Sequence, residues 1–550
     1  MAAGGDAATR REAEAAGSGT ATLGLLATAL GAVGVAWLVG VRGDFPLSDD
    51  WSYAYAVRSI CETGLLQMLP WTGASLVLQA GYGAALCRAF GFSFEVLRLS
   101  TVVLAASGAG AFVLLQRTLG VRGGALLLGT LLFALNPLFV NLAFTFMTDV
   151  PFVVAATCAG YAYAGGLGER SSRRVLVGSL AASAAFLIRQ HGIFVALAAA
   201  CAALLDRDAA PSRRLRLAAA ALVLPAVTFV LFHLWLFDVH GVPSGYTNKL
   251  SEAHRVTAVG LVNCAFRGVE YLGLFVAPLA VALPLRPLRR GALAAIALLA
   301  ALAGALWLRE GTLMFSLTNV LYDFGLGPLS LRDTLFLGEP PPVHVGRWLQ
   351  LPLTAVAVGA GGVMAAAWIA AVLRPRSPAH AFVALAALFL FASSLLHTRY
   401  YFDRYLLAIV PFLVATLAAS DRLRRLPLAL ALACVLGWYA VAGTHDYLAW
   451  NRARWNALDR LTITGTPATA IDGGMEFNAW LLAPGLNRWP SDADVRPGQP
   501  DDRHSWWWVV DDRYVVAFRP LRGYHVREEL PFTRWLVPAY DRLFLLERDR

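Results

Sequence analysis

Charge is what this chain of 550 residues has least of: Asp, Glu, Lys and Arg make up 15% of it, against 58% hydrophobic residues. A soluble globular chain carries roughly 25% charged residues, which argues against a soluble multidomain enzyme. So high an apolar content also excludes a disordered chain. Lysine is nearly missing, since Lys249 is the only one and every other basic residue is Arg. A base-composition bias accounts for that without function, so no single Arg can be read as chosen over Lys. Cysteine is sparse, with six residues and no C-x-x-C pair. Neither a zinc site nor a disulfide framework is indicated. There is no glycine fingerprint of a Rossmann type, so no nucleotide-binding turn is expected. No internal repeat appears either.

What is present is a series of long apolar stretches. A helix needs about 20 apolar residues to cross the hydrocarbon core. Thirteen stretches approach that length: 21–41, 97–116, 124–142, 151–167, 175–189, 192–206, 217–237, 269–285, 291–308, 351–373, 380–396, 405–420 and 426–443. The first follows Arg10 and Arg11 without a cleavage site, so it reads as a retained anchor. The sequence therefore predicts an all-α polytopic membrane bundle of about 13 transmembrane helices.

The net charge of +10 looks at first like a nucleic-acid signal, and its distribution removes that reading. Threaded from a cytoplasmic N-terminus, alternate connections collect Arg117/Arg122, Arg170/Arg173/Arg174, Arg207 to Arg216, Arg286 to Arg290, Arg374/Arg376 and Arg422 to Arg425 on one side. With the tail, that side holds 19 Arg against 7 acids, and the longer connections opposite hold 13 basic residues against 14 acids. The positive-inside rule makes the first side cytoplasmic. The excess charge is a topology signal, and no nucleic-acid partner is expected.

Three divisions follow: a cytoplasmic tail 1–20, a transmembrane part 21–443 with an external loop 42–96, and an external domain 444–550. In that last part, Ala468–Ile471, Trp506–Val510, Tyr514–Phe518 and Arg542–Glu547 read as strands, and 446–460 and 475–483 as helices. This predicts a small α/β domain. The loop 42–96 reads as short interfacial helices. The connections 238–268 and 309–350 are long enough to suggest binding loops.

Ionisable residues on the external side carry the chemical information. Asp49 and Asp50 stand together just after the first span. Two adjacent carboxylates at an apolar edge repel each other and lose hydration, which suits one of them to accept a proton. A helix-capping pair is the local alternative. Asp149 lies in the short turn Thr148-Asp149-Val150-Pro151, where capping explains it as well. Arg58, Arg98, Arg189, His191, Lys249, His254, His397, Arg399 and Arg404 place cations on the side where the charge bias disfavours them. An anionic ligand such as a phosphate would account for the group. Arg399-Tyr400-Tyr401-Phe402-Asp403-Arg404-Tyr405 is the densest cluster, and its aromatics suit a sugar or an interfacial belt. Asp49, Asp50, Asp149 and His191 could also supply ligands to a divalent cation such as Mg or Mn, which the sequence leaves open.

In order and side, these segments resemble the membrane-embedded C-type glycosyltransferases, closest to family 39, the protein mannosyltransferases, and to the lipid A aminoarabinose transferases. The likeness lies in Asp49-Asp50-Trp51-Ser52-Tyr53, in Gly91 to Arg98, in Thr148-Asp149-Val150-Pro151 and in Asp403-Arg404-Tyr405. It covers most of 21–420. It departs from the family's pattern at Asp50, where Glu is common, and it does not extend to the tail.

The resemblance implies transfer of a sugar from a polyprenyl-phosphate donor to a lipid, glycan or protein acceptor on the external face, with inversion. Asp49 would be the general base, with Asp50 and Asp149 as companion acids. Arg58, Arg98, Arg189, His191, Lys249, Arg399, Tyr400 and Arg404 would bind the substrates. The setting implied is a bacterial inner membrane with a periplasmic C-terminal domain. Two alternatives share the composition: a transporter of a lipid-linked or anionic substrate, and a glycan polymerase or ligase. Acids at span ends on one side and the missing repeat favour an enzyme over a transporter.

Overall fold

A computed structural model of the chain describes residues 26, 28–311, 313–314, 317, 319–336, 345–398, 401–420, 423–486, 508–509, 511–536 and 540–549. Helix α1 (Thr28–Val39) enters the loop 40–49. Then come α2 (Asp50–Thr63), α3 (Val77–Phe90), α4 (Phe94–Thr118), α5 (Gly123–Ala134), α6 (Pro137–Ala143), α7 (Asp149–Gly168), α8 (Ser172–Ile188) and α9 (Gly192–Leu205). Next, α10 (Pro211–Leu234) runs into a π-helical turn and is followed by α11 (Ser244–Ala253), α12 (Ala258–Phe275), α13 (Ala277–Ala282) and α14 (Leu285–Glu310). A hairpin of β1 (Leu321–Tyr322) and β2 (Gly325–Leu326) precedes α15 (Arg347–Leu373) and α16 (Pro378–Ser394). The 3₁₀ turn Asp403–Ala408, α17 (Val410–Ala418) and α18 (Leu426–Ile463) complete the bundle.

Among the described residues, seven helices are long and apolar enough to cross a bilayer, or eight if α5 and α6, bent by 51° at Leu135–Asn136, count as one span. The helices α10 and α14 keep only 22% and 11% of their apolar windows buried in the protein. Surfaces this apolar and this exposed need lipid around them. The chain is an integral membrane protein.

The thirteen stretches of the sequence do not become thirteen full-length helices. Stretch 269–285 is divided between α12 and α13, and 405–420 is a 3₁₀ turn followed by a nine-residue helix. Apolar content does not distinguish a straight span from a broken one, because Pro278 and Pro411 start new helices where they stand.

The arginine-rich turns gather at one end of the bundle. Arg170 on the turn after α7 bonds Asp206 after α9 at 2.9 Å, Arg376 bonds the Ala419 carbonyl at 2.7 Å, and the Arg424 amide bonds the Ala282 carbonyl at 2.7 Å. The opposite end carries the loop 40–49, α2, α3, the turn 144–148, α11 and the 3₁₀ turn. A groove of about 330 Å³ lined by apolar side chains of α1, α4, α5 and α6 opens on the flank.

Beyond residue 443 the chain does not break. Helix α18 continues to Ile463 over 38 residues, about 57 Å at 1.5 Å per residue. A 3₁₀ turn at Ala468–Ala470, β3 (Ile471–Asp472), α19 (Met475–Leu486), β4 (Tyr514–Ala517), β5 (Tyr524–Pro531) and β6 (Arg542–Arg548) follow. The sheet order is β3-β4-β6-β5, with β3 parallel to β4 and the other pairs antiparallel. Of the expected strands, 468–471 shrinks to β3, and 514–518 and 542–547 are found. Trp508 and Val509 form no strand, and the rest of 506–510 lies outside the described residues. Strand β5 was not anticipated, because residues 525–529 are all exposed and a bulge lies between Val526 and Glu528, so no alternation marks it.

The loop 40–49 is held by side chains because its backbone has no ladder. Arg98, on α4 and 1% exposed, donates to the carbonyls of Val41, Gly43 and Phe45 at 2.9, 2.7 and 2.8 Å. Arg452 of α18 donates to the carbonyls of Val39, Gly40 and Arg42. Carbonyls buried in this way would otherwise lose their water without replacement. Replacing Arg98 by Met should therefore destabilise the protein by about 3 kcal/mol or more, read as a fall in the thermal midpoint in detergent, while the same change at exposed Arg58 should move it little.

Candidate functional site

Helix α2 begins at Asp50, and Asp49 occupies its N-cap position without making a side-chain cap. Its carboxylate is used elsewhere: Oδ2 accepts from Arg404 Nη2 at 3.0 Å and Oδ1 from Trp71 Nε1 at 3.1 Å. Asp149 opens α7, and Thr148 at its N-cap makes no side-chain cap either. Asp149 Oδ1 instead accepts from Arg189 Nη1, and both side chains are buried. The capping explanation, good on local grounds, gives way to two ion pairs between distant elements.

Arg404 and Arg189 meet at Tyr405, whose ring lies 5.9 Å from one guanidinium and 5.8 Å from the other. Lys249 of α11 reaches in from the side, with Nζ 3.2 Å from the Gly73 carbonyl, and Gln190 donates to that same carbonyl at 3.1 Å. Asp49, Asp149, Arg189 and Arg404 all act electrostatically on Lys249 and on the buried Tyr53. The enclosure is centred on Asp149, Arg189, Arg404 and Tyr405, with Asp49 joined to it through Arg404 and with Lys249 and Tyr53 within electrostatic reach. A cavity of about 20 Å³, room for one water, lies among Asp149, Arg189, His191, Arg404 and Tyr405.

Burial governs the protonation states. It lowers Lys249 to about 7, reinforced by Arg189 and Arg404 and opposed by the two carboxylates. Burial, with Lys249 and Arg189, takes His397 down to about 4, and His191 is likewise held well below its ordinary value. Both imidazoles are neutral at pH 7, and His191 Nδ1 lies 3.1 Å from Ser393 Oγ. Arg404 goes the other way: burial would lower it, but Asp49 and Asp149 outweigh that and raise it.

Several hydrogen-bonding atoms in the enclosure have no partner among the described residues: Asp149 Oδ2, and Arg404 Nε and Nη1. Buried polar atoms are rarely left so, and here a carboxylate oxygen and two guanidinium donors remain open to further hydrogen bonds. The enclosure can therefore hold an oxyanion against Arg404 and an acceptor hydroxyl near a carboxylate.

Not every residue anticipated from sequence arrives here. Asp50 turns away, with Oδ1 accepting from the Leu47 amide at 2.7 Å and Oδ2 from the Phe146 amide at 3.0 Å. Burial pushes it up to about 7 against these two donors. It ties the loop before α2 to the turn before α7. Arg98 is engaged with the loop carbonyls, and Arg58 is half-exposed and paired with Glu62 at 2.6 Å. Neither reaches the enclosure, because one faces the loop backbone and the other the outer side of α2. Arg399 and Tyr400 lie outside the described residues.

The sequence reading had no reason to single out Trp71 or Gln190 as functional residues, and Tyr405 entered it only as part of the cluster 399–405. Gln190 had the one usable signal, a polar triplet Arg189-Gln190-His191 inside an apolar stretch. The residues offered for a divalent cation do not fit one: Asp49 and Asp149 face arginines, Asp50 faces amides and His191 faces a serine. Among the described residues no three His, Cys, Asp or Glu side chains gather.

No family model and no curated protein matches the sequence. Solved structures do match. ArnT from Cupriavidus metallidurans aligns over 96% of this chain and 98% of its own, at 14% identity and a TM-score of 0.37. The Archaeoglobus fulgidus oligosaccharyltransferase aligns over 80% of this chain and 58% of its own, at 14% identity and a TM-score of 0.40. The S. cerevisiae protein O-mannosyltransferase complex, bound to its sugar donor, aligns over 41% of this chain and 34% of its own, at 18% identity and a TM-score of 0.32. These neighbours are of the class that the loop motifs resemble.

The protonation of Lys249 gives a direct test. A cation with a depressed pKa of about 7 is lost as pH rises through that value, so affinity for an anion in the enclosure should fall between pH 6.5 and 8.5. Binding of sulfate, whose charge is constant over this range, to the purified protein should show this slope. In Lys249→Arg, which stays charged throughout, the slope should largely disappear.

Proposed function

We propose that the protein is a membrane glycosyltransferase that moves a sugar from a polyprenyl phosphate to an acceptor hydroxyl. The observation that carries this reading is the joint enclosure of Asp49, Asp149, Arg189, Arg404 and Lys249 at one end of an apolar bundle. Three cations against two carboxylates leave a positive balance of one when a bound anion keeps the proton on Lys249, which titrates near 7 without it. The single negative charge of a sugar phosphodiester matches it. When the bond to the sugar breaks, the polyprenyl phosphate gains a second negative charge, which the same cations stabilise more strongly.

Asp49 is the general base, as the more accessible of the two acids at 17% side-chain exposure against 1% for Asp149. It takes the proton of the acceptor hydroxyl while that oxygen attacks the anomeric carbon from the face opposite the phosphate, which inverts the centre. The bond from the anomeric carbon to the phosphate oxygen breaks, and the electron pair leaves on polyprenyl phosphate. Arg404 joins the two halves, with Nη2 on Asp49 and with Nη1, on the other edge of the guanidinium, left to donate to the phosphate. Arg189 and Lys249 complete the anion site, and Asp149 orients Arg189 and the acceptor. An isoprenoid tail requires a site at the bilayer edge, which fits an enclosure at the end of apolar helices.

The arginine-rich end faces the cytoplasm under the positive-inside rule, which puts the enclosure and the part after 443 on the external, periplasmic side of a bacterial inner membrane. The acceptor is a lipid, a glycan or a protein hydroxyl. A transporter would place its ionisable groups near mid-membrane between paired repeats, whereas these groups lie at one end.

Purified protein in lipid vesicles, supplied with an undecaprenyl-phosphate sugar, should release undecaprenyl phosphate in step with glycosylation of an acceptor. Asp49→Asn should lower the rate by about 10²- to 10⁴-fold, the usual range for a general base. Substrate crossing sealed vesicles with no bond cleaved would instead establish transport.

A further inference from the structure

The part of the chain after residue 443 is joined to the proposed base by more than proximity. Ser48, immediately before Asp49, has φ of +57°. That conformation is unfavourable for a residue with a Cβ and persists only where its surroundings impose it. The Ser48 amide donates to Glu476 Oε1 of α19 at 3.0 Å. The other oxygen of Glu476 accepts from Arg454 Nη2 of α18 at 2.9 Å and from Ser330 Oγ. Glu476 and Arg454 are both 0% exposed. Each oxygen of this carboxylate is thus occupied by a fixed donor, and its orientation has no freedom left.

Three aromatic contacts bring the same segment onto the loop and onto the starts of its neighbours α2 and α4. Phe45 stacks on Trp455 at 5.7 Å and 7°, Phe94 meets Trp480 edge-on at 5.0 Å, and Trp51 meets Trp508 at 6.0 Å and 78°. On the bundle side the Leu47 amide is held by Asp50. Successive amides at 47 and 48 are therefore fixed by two different carboxylates, one within the loop and one from α19. This determines the direction in which the next residue, Asp49, projects.

We propose that Glu476 is a positioning residue for Asp49, so that the C-terminal segment is part of the frame of the catalytic loop. The inference rests on the reading of Asp49 as base. Without Glu476 the Ser48 backbone relaxes from positive φ, and the carboxylate of Asp49 swings away from the acceptor hydroxyl. Substrate binding, which uses Arg404, Arg189 and Lys249, is left largely intact.

The test uses the full chain in lipid nanodiscs with an undecaprenyl-phosphate sugar. Glu476→Ala should lower kcat by about 10²-fold, the scale of an ångström-sized misplacement, with the donor KM changed less than threefold. Amide hydrogen exchange should speed up in residues 45–52 and stay unchanged in α7 and α12. Ser48→Gly, which accepts positive φ without steric cost, should restore at least tenfold of kcat when combined with Glu476→Ala. Unchanged kcat in Glu476→Ala, or a loss of exchange protection spread over the whole chain, would overturn the proposal. Where the Ala variant fails to fold, Glu476→Gln keeps an acceptor for Ser48 but loses the charge facing Arg454. Its kcat should fall about tenfold, and a wild-type kcat would again count against positioning. Asp49→Asn in the same assay separates the two claims. An active Asp49→Asn removes the base itself, whereas an inactive one beside fully active Glu476 variants removes only the positioning role.

Discussion

A charge buried at the edge of an apolar bundle has to be matched by another, and that requirement organises the end of this protein that carries the candidate site. Asp149 and Arg189, almost fully buried, would each be far from water without the other. Removing one partner of such a pair typically costs about 3–5 kcal/mol, because the remaining charge stays buried. Asp49 and Arg404 repeat the arrangement with one difference: Asp49 retains some exposure, and Arg404 keeps two donors unpartnered. The first pair leaves one carboxylate oxygen without a partner and the second leaves two guanidinium donors, so neither uses all its hydrogen-bonding capacity.

The same requirement acts on the backbone. Between α1 and α2 the chain runs as a loop with no strand or helix to satisfy its peptide groups. Arg98 and Arg452 together take five of its carbonyls and that of Val39 at the end of α1, while Asp50 and Glu476 take two consecutive amides. Charged side chains here do the work that a neighbouring strand does elsewhere. The loop is consequently rigid where it presents Asp49, and its rigidity depends on residues separated from it by more than 400 positions.

Much of the site was legible beforehand. Asp49, Asp149, Arg189, His191, Lys249 and Arg404 stood out because ionisable residues are rare in this chain, and rarer still on that side of the threading. The structure brings those six together. Arg58 and Arg98 stood out for the same reason and go elsewhere, since rarity of charge identifies a residue that needs a partner without saying which one. For Arg98 the partner is the backbone, and for Arg58 it is Glu62 one turn away. Trp71 and Glu476 had no comparable signal, because an indole or a carboxylate in a mixed segment is unremarkable until its neighbours are known.

Composition by itself determined that this is a helical membrane protein and that its arginines segregate to one end of the bundle, because both follow from solvation: apolar stretches seek lipid and clustered charge avoids it. Which stretches run straight and which break was decided in three dimensions. There proline can start a new helix within an apolar run, and bent helices pack against straight ones. The tertiary structure alone decided that the acids at 49 and 149 leave their helix caps for arginines at 404 and 189, and that a carboxylate at 476 holds the peptide next to the first of them. Pairings across such separations have no local trace, since a buried charge is satisfied by whatever the fold brings within about 3 Å of it.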